Sequence, residues 1–197
     1  MHLLRRLPLL VAALAVTAAA ASACTEANGT EGKDYVAGDG VVVEIPVKDR
    51  KAPVSVSGES LTGDRIDLTR LRGNPVVVNV WGAWCTECRA EAATLVDASD
   101  ELPAGTTMLG VDVRDVSKDN ALAYERSFGV TYPSIYDSGS QTLLSFPAPF
   151  NPREIPSTMV LDSEGRVAAL VRGKLPSKLT LVELVDKVAA EDGQADG

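Results

Sequence analysis

The chain has 197 residues, 45% of them hydrophobic, which suffices for one compact domain with an ordinary core. Its 19 basic side chains are outnumbered by 27 acidic ones, for a net charge of −8. A body this acidic argues against a nucleic-acid partner, because phosphate binding draws on clustered Lys and Arg.

At the N-terminus, Arg5 and Arg6 precede an apolar run over residues 7–21, interrupted by Pro8. The run is short for a full membrane span and has the pattern of a signal peptide covering residues 1–23. Ala21-Ser22-Ala23-Cys24 resembles a bacterial lipobox, with Ala21 where such motifs usually carry Leu. That resemblance implies that Cys24 is diacylated and becomes the mature N-terminus, since two acyl chains anchor stably where one is marginal. An ordinary signal peptide cut near Ala23 and an uncleaved anchor are the alternatives. All three put the domain outside the cytoplasm. Residues 24–51 are rich in Gly, Glu, Asp and Lys without a helical period and read as a lipidated N-terminus and flexible tether. Within them, Val41 to Ile45 could pair as an edge strand.

Residues 53–57 and 65–68 flank a Gly-containing turn and read as a hairpin. Val76 to Val80 is apolar on both faces, as a fully buried strand must be. A helical segment follows, from Arg89 to about Leu102. Between strand and helix lies Trp84-Cys85-Thr86-Glu87-Cys88. Strand, tight turn and helix place Cys85 at a helix N-terminus, where unpaired N–H groups and the dipole favour its thiolate. Cys88 is about one turn further on, close enough to close a small disulfide ring. Glu91, three residues beyond, shares its face. Zinc needs about four ligands, and the other Cys and His residues are only Cys24 and His2.

Residues 107–113 read as a second buried strand. Ser117 caps a helix that runs to Phe128 and ends at Gly129. Residues 132–137 and 142–145 are shorter pieces. Residues 157–162 and 166–171 flank Ser163-Glu164-Gly165 as a second hairpin. Thr180 and Glu183 form a capping box opening a terminal helix to about Ala190, and residues 191–197 read as a loose tail.

This order is that of a mixed α/β sheet with helices on both faces. Residues 81–91 and 155–162 resemble the two signature segments of the thioredoxin fold. With the N-terminal hairpin extension and an inserted helix–strand unit, the chain resembles the TlpA/ResA-like thiol–disulfide oxidoreductases over residues 52–190. The resemblance implies that Cys85 attacks a partner disulfide and that Cys88 resolves the mixed disulfide. It implies further that Glu91 tunes the pair, that Trp84 shields Cys85, and that Pro156 is a cis-proline turning the Ile155 backbone towards a substrate. Asn79 stands where many thioredoxins carry a proton-shuttling Asp. Glu87 replaces the usual proline, and a carboxylate there leans the pair towards reduction, with Arg89 opposing it.

The resulting expectation is a membrane-anchored reductase of extracytoplasmic client disulfides, with apocytochrome c as the client the resemblance implies. It would act as a monomer, be re-reduced by a membrane electron donor, and need no metal or organic cofactor. A disulfide-donating oxidase and a non-catalytic partner-binding lipoprotein are the alternatives. Client specificity would lie around Trp84, Ile155 and residues 117–151, where 146–152 is either a binding rim or a packed loop.

Overall fold

Strand β5 (Val76–Trp81) is buried along its whole length and runs through the interior of a seven-stranded sheet. The structure, a computed structural model, describes residues 35–37 and 40–195. The leader expected over residues 1–23 and the lipidation site at Cys24 lie outside these. On one side of β5, β6 (Thr107–Val113) and then β7 (Ser134–Asp137) run parallel to it. On the other side β8 (Ser157–Leu161) and β9 (Val167–Gly173) pair antiparallel, followed by β2 (Gly40–Glu44) and β1 (Tyr35–Ala37) at the edge. The parallel joins require crossovers, supplied by α1 (Thr86–Ser99) and α2 (Lys118–Phe128). Helix α3 (Lys178–Ala195) follows β9.

The expected helical cover takes an uneven form. Val77 packs with Leu95 of α1 and with Leu181, Val185 and Val188 of α3, while Trp81 packs with Ala92 of α1 and Ala121 and Tyr124 of α2. The three α-helices among the described residues therefore share one face. Two right-handed crossovers that advance in one direction across a sheet must lie on the same side. Val76, Val78 and Val80 face the other way, onto Val54, Val56, Leu68, Leu143, Phe146 and Phe150. That face is covered by the segment around the small hairpin β3 (Ser57–Glu59) and β4 (Arg65–Asp67) and by two 3-10 turns, Leu68–Leu71 and Thr142–Ser145. Phe146 and Phe150 are buried with rings 5.4 Å apart, so the 146–152 stretch is a packed loop.

Local signals placed α2 well. Ser117 Oγ accepts the Asn120 N–H, and Gly129 closes the helix at φ 70°, a left-handed conformation that suits glycine. Three boundaries differ from expectation. The first strand of the small hairpin is Ser57–Glu59, shifted to the C-terminal side of residues 53–57. The run from Gly40 that could pair as an edge strand within the tether is sheet and lies one strand in from the edge: Val42 pairs with Val171, and the Ile45 N–H donates to the Ala168 carbonyl at 2.8 Å. Helix α3 begins earlier and ends later than the capping box implied. Ser177 Oγ, rather than Thr180, takes a terminal N–H, that of Thr180 at 3.2 Å. At the far end Glu191 pairs with Arg50, which also binds buried Asp162 at 3.0 Å. The helix itself runs on to Ala195, into residues expected as a loose tail.

Candidate active site

The chain leaves β5 at Trp81 and turns through Gly82, whose carbonyl accepts the Cys85 N–H at 3.0 Å. Cys85 is the N-cap of α1, and its Sγ accepts the Cys88 N–H at 3.1 Å. The two cysteines are joined as a disulfide, with Cα atoms 5.3 Å apart. Cys85 is 5% exposed and Cys88 0%, so of the two only Cys85 has any surface open to solvent or a partner. A thiolate at Cys85 would lie where the N–H groups and dipole of α1 favour negative charge. Across from it, the Ile155–Pro156 peptide bond is cis, and the Ile155 carbonyl oxygen lies 3.9 Å from Cys85 Sγ. With the sulfurs joined there is no thiol proton, so this is a contact rather than a hydrogen bond. The Pro156 carbonyl accepts the Gly173 N–H at 3.0 Å, which ties the strand entry to β9.

Trp84 is half exposed, and its indole Nε1 donates to the Val113 carbonyl at 2.8 Å. The hydrogen bond holds the ring beside Cys85 with part of its surface open. Gly82 makes this possible: a Cβ there would meet the indole Nε1 and, at 2.8 Å, the Val113 carbonyl oxygen. Gly82→Ala is therefore expected to release Trp84 from Val113 and to destabilise the oxidised protein by about 1–3 kcal/mol. Urea unfolding, together with the intensity and wavelength of tryptophan emission, checks it; an unchanged midpoint and spectrum would contradict the crowding.

Glu91 lies one turn beyond Cys88 and is 1% exposed. Its Oε2 accepts the Leu175 N–H at 2.6 Å and its Oε1 accepts from Asn79 Nδ2 at 3.3 Å. Asn79 also donates to Thr158 Oγ1 at 3.1 Å, so it crosslinks β5, α1 and β8 rather than titrating. Burial pushes the Glu91 carboxyl up to about 7, against the lowering effect of both hydrogen bonds and of the Lys174 charge. It is thus poised to gain or lose a proton near neutrality. Behind Cys88, the Tyr124 hydroxyl donates to the Cys88 carbonyl at 2.8 Å, and the Tyr124 ring stacks on Trp81 at 4.3 Å. Burial raises the Tyr124 hydroxyl further above its ordinary range, so it stays a neutral donor. Trp81 itself is core.

Two acidic residues near the motif escaped the sequence reading. Asp115 Oδ2 accepts the Ala83 N–H at 2.8 Å and so holds the turn that carries Trp84 and Cys85. Asp112 is fully buried on β6 beside Trp81, and neither of its oxygens has a hydrogen-bond partner among the described residues. Burial first, then the neighbouring Asp115 carboxylate, push Asp112 up to about 9 and keep it neutral. The signal available in the sequence was an Asp at an inward position of an apolar strand. Glu87 is exposed on the first turn of α1. Among the described residues no cluster of His, Cys, Asp and Glu is arranged to hold a metal ion. The structure gathers Cys85, Cys88, Glu91, Trp84, Ile155 and Pro156 around the start of α1.

A mixed sheet with a cysteine pair capping the helix after its central strand, faced by a cis-proline strand entry, is the arrangement of the thioredoxin fold. The chain belongs to the AhpC/TSA family, whose family model matches residues 47–170. It is 28% identical over 122 residues to the thiol-disulfide oxidoreductase ResA of Bacillus subtilis, a match covering 61% of this chain and 65% of ResA. Among solved structures it is similar to a DsbF homologue from Corynebacterium diphtheriae, at 31% identity and TM-score 0.67, covering 81% of this chain and 99% of that one. It is also similar to a secreted thiol-disulfide isomerase from Corynebacterium glutamicum, at 35% identity and TM-score 0.65, covering 79% and 99%.

Proposed function

We propose that this protein is a membrane-anchored, extracytoplasmic reductase of client disulfides. The observation that carries the reading is a reachable Cys85 at the N-terminus of α1, opposite the cis Ile155–Pro156 bond, with Cys88 sealed behind it. In the reduced protein the Cys85 thiolate attacks one sulfur of the client disulfide. A mixed disulfide forms, and the client's other sulfur leaves and takes up a proton. Cys88, its proton passing to ionised Glu91, then attacks Cys85 Sγ and releases the client as a dithiol. The protein is left oxidised, as it stands in this structure. A membrane electron donor returns two electrons and two protons to the pair, and no other cofactor enters the cycle. Trp84 and the Ile155 backbone flank the attacked disulfide and hold an extended client segment.

Location outside the cytoplasm is supported by the signal pattern before Cys24 and by the secreted C. glutamicum protein among its structural neighbours. Acylation of Cys24 supplies the anchor, and apocytochrome c is the client implied by the likeness to ResA-type proteins. The reduction potential of the pair, equilibrated against glutathione and dithiothreitol buffers, tests the direction. A value at or below about −250 mV supports a reductase, whereas one above about −150 mV turns the protein into a disulfide donor.

A further inference from the structure

Beside the dithiol turn a groove of about 380 Å³ lies between residues 83–84 and α2. Trp84, Arg89, Arg114, Asp115, Val116 and Asn120 contribute to its lining. In the exchange mechanism only Trp84 of this lining has a task, and the charge of the groove is unlike that of the chain as a whole. The Arg89 guanidinium lies over the Phe128 ring at 5.2 Å, and that of Arg114 lies over the Trp84 ring at 5.8 Å. Arg114 Nη2 also donates to the Pro152 carbonyl at 2.8 Å. Among the described residues neither guanidinium pairs with a carboxylate; several other surface arginines have none either, but Arg89 and Arg114 are the two that meet in one groove. The one carboxylate in the lining, Asp115, is 4% exposed and turned inward onto the Ala83 N–H. The groove therefore presents two uncompensated positive charges on a chain whose net charge is −8.

Two further features mark it as built for contact. Arg114 has φ 62°, a left-handed conformation that few residues other than glycine adopt. The strained backbone carries the very side chain that covers Trp84. Val116, at the groove's edge, is 90% exposed, next to the half-exposed Trp84 indole. Apolar surface flanked by unpaired guanidinium groups is the composition of a site that receives an apolar and acidic partner segment.

We propose that this groove docks an acidic segment of the partner protein, placing a carboxylate side chain within a few residues of the cysteine that Cys85 attacks. Arg89 and Arg114 receive the carboxylate, and Trp84 with Val116 cover the adjoining apolar side chain. The proposal rests on the exchange reading above and names the partner chemistry at the same site.

Two synthetic peptides test it, each with one cysteine held as a mixed disulfide with thionitrobenzoate, one flanked by Glu and the other by Lys. The Cys85 thiolate of the reduced protein attacks the peptide sulfur and expels coloured thionitrobenzoate. Cys88 then displaces the peptide thiol, leaving the protein disulfide, so atoms and electrons balance. Bulk charge alone would make this acidic protein prefer the Lys peptide. The groove requires the opposite: a second-order rate constant for single-turnover release from the Glu peptide about tenfold higher at low salt, with the advantage shrinking as salt is added. Arg89→Gln with Arg114→Gln should reverse the preference to the one set by bulk charge. Lys187→Gln, which removes a charge paired with Glu44 on β2, should keep the wild-type preference. Equal rates for the two peptides, a wild-type preference for Lys, or the same loss in Lys187→Gln would overturn the groove alone. The salt series on the wild-type protein decides this even if the double variant fails to fold. Release from neither peptide would overturn the exchange reading and this proposal with it.

Discussion

Cys88→Ser will accumulate a disulfide-linked adduct with its client, and turnover will fall by about a thousandfold or more. Cys85 keeps its place at the N-terminus of α1 and its access to solvent, so attack continues. What disappears is the internal thiol that would expel the client, and an intermolecular thiol must take over at far lower effective concentration. Cys85→Ser is expected to lose turnover to a similar degree with no adduct at all, because Cys88 is fully buried beneath the turn. Non-reducing gels and intact-mass measurement separate the two. An adduct on Cys88 in the Cys85→Ser protein would exchange the assigned roles.

The second large effect concerns Glu91. In the oxidised protein burial holds its carboxyl at about 7, well above the ordinary 4.5. A group whose folded value is raised contributes its full stability below the unfolded value and loses it as pH rises through the folded one. Between pH 4 and 8 the wild-type protein should therefore lose stability relative to Glu91→Gln, by about 3 kcal/mol in total for a shift of this size. Most of the change falls between about 4.5 and 7. Denaturant unfolding of both oxidised proteins across that range measures it, and a flat difference would mean that Glu91 is solvated. The same carboxylate predicts a kinetic signature. Resolution of the mixed disulfide should rise with an inflection near 7 in the wild-type protein, as ionised Glu91 becomes able to take the Cys88 proton. Glu91→Gln should lack that inflection and be slower by about a hundredfold at pH 8. The stability and kinetic inflections have one origin, so a variant that removes only one of them would argue against a single titrating group.

The Asn79–Glu91–Leu175 arrangement explains why Asn serves at a position where an Asp would titrate. Asn79 spends its donor on Glu91 and on Thr158, and so fixes the acid that does titrate. A second buried carboxyl, Asp112, sits nearby on β6, on the face shared with Trp81 and Asn79. Because it stays neutral, it adds no fixed negative charge beneath the turn that carries Cys85.

The features determined by the amino-acid sequence alone are those governed by neighbours within a turn or two. The apolar run of β5, the Cys85–Cys88 spacing at a helix start, the Ser117 and Gly129 caps of α2, and the Ser163-Glu164-Gly165 turn with Gly165 at φ 84° are all local events. Steric and hydrogen-bonding preferences act there over a few residues, so their outcome is written in adjacent letters. Tertiary structure alone decided that residues 40–44 pair with β9 and lie one strand in from the edge, because that partner is distant in the chain. It brought Glu191 of α3 against Arg50, a partner distant in the chain. It gave Glu91 its titration, since the Leu175 N–H that binds it lies 84 residues away and its desolvation needs the whole packed face. It also turned Asp115 onto the Ala83 N–H, 32 residues distant, leaving Arg89 and Arg114 without a carboxylate partner in the groove. Burial and charge pairing depend on which surfaces meet, and that is settled only when distant strands and helices close around one another.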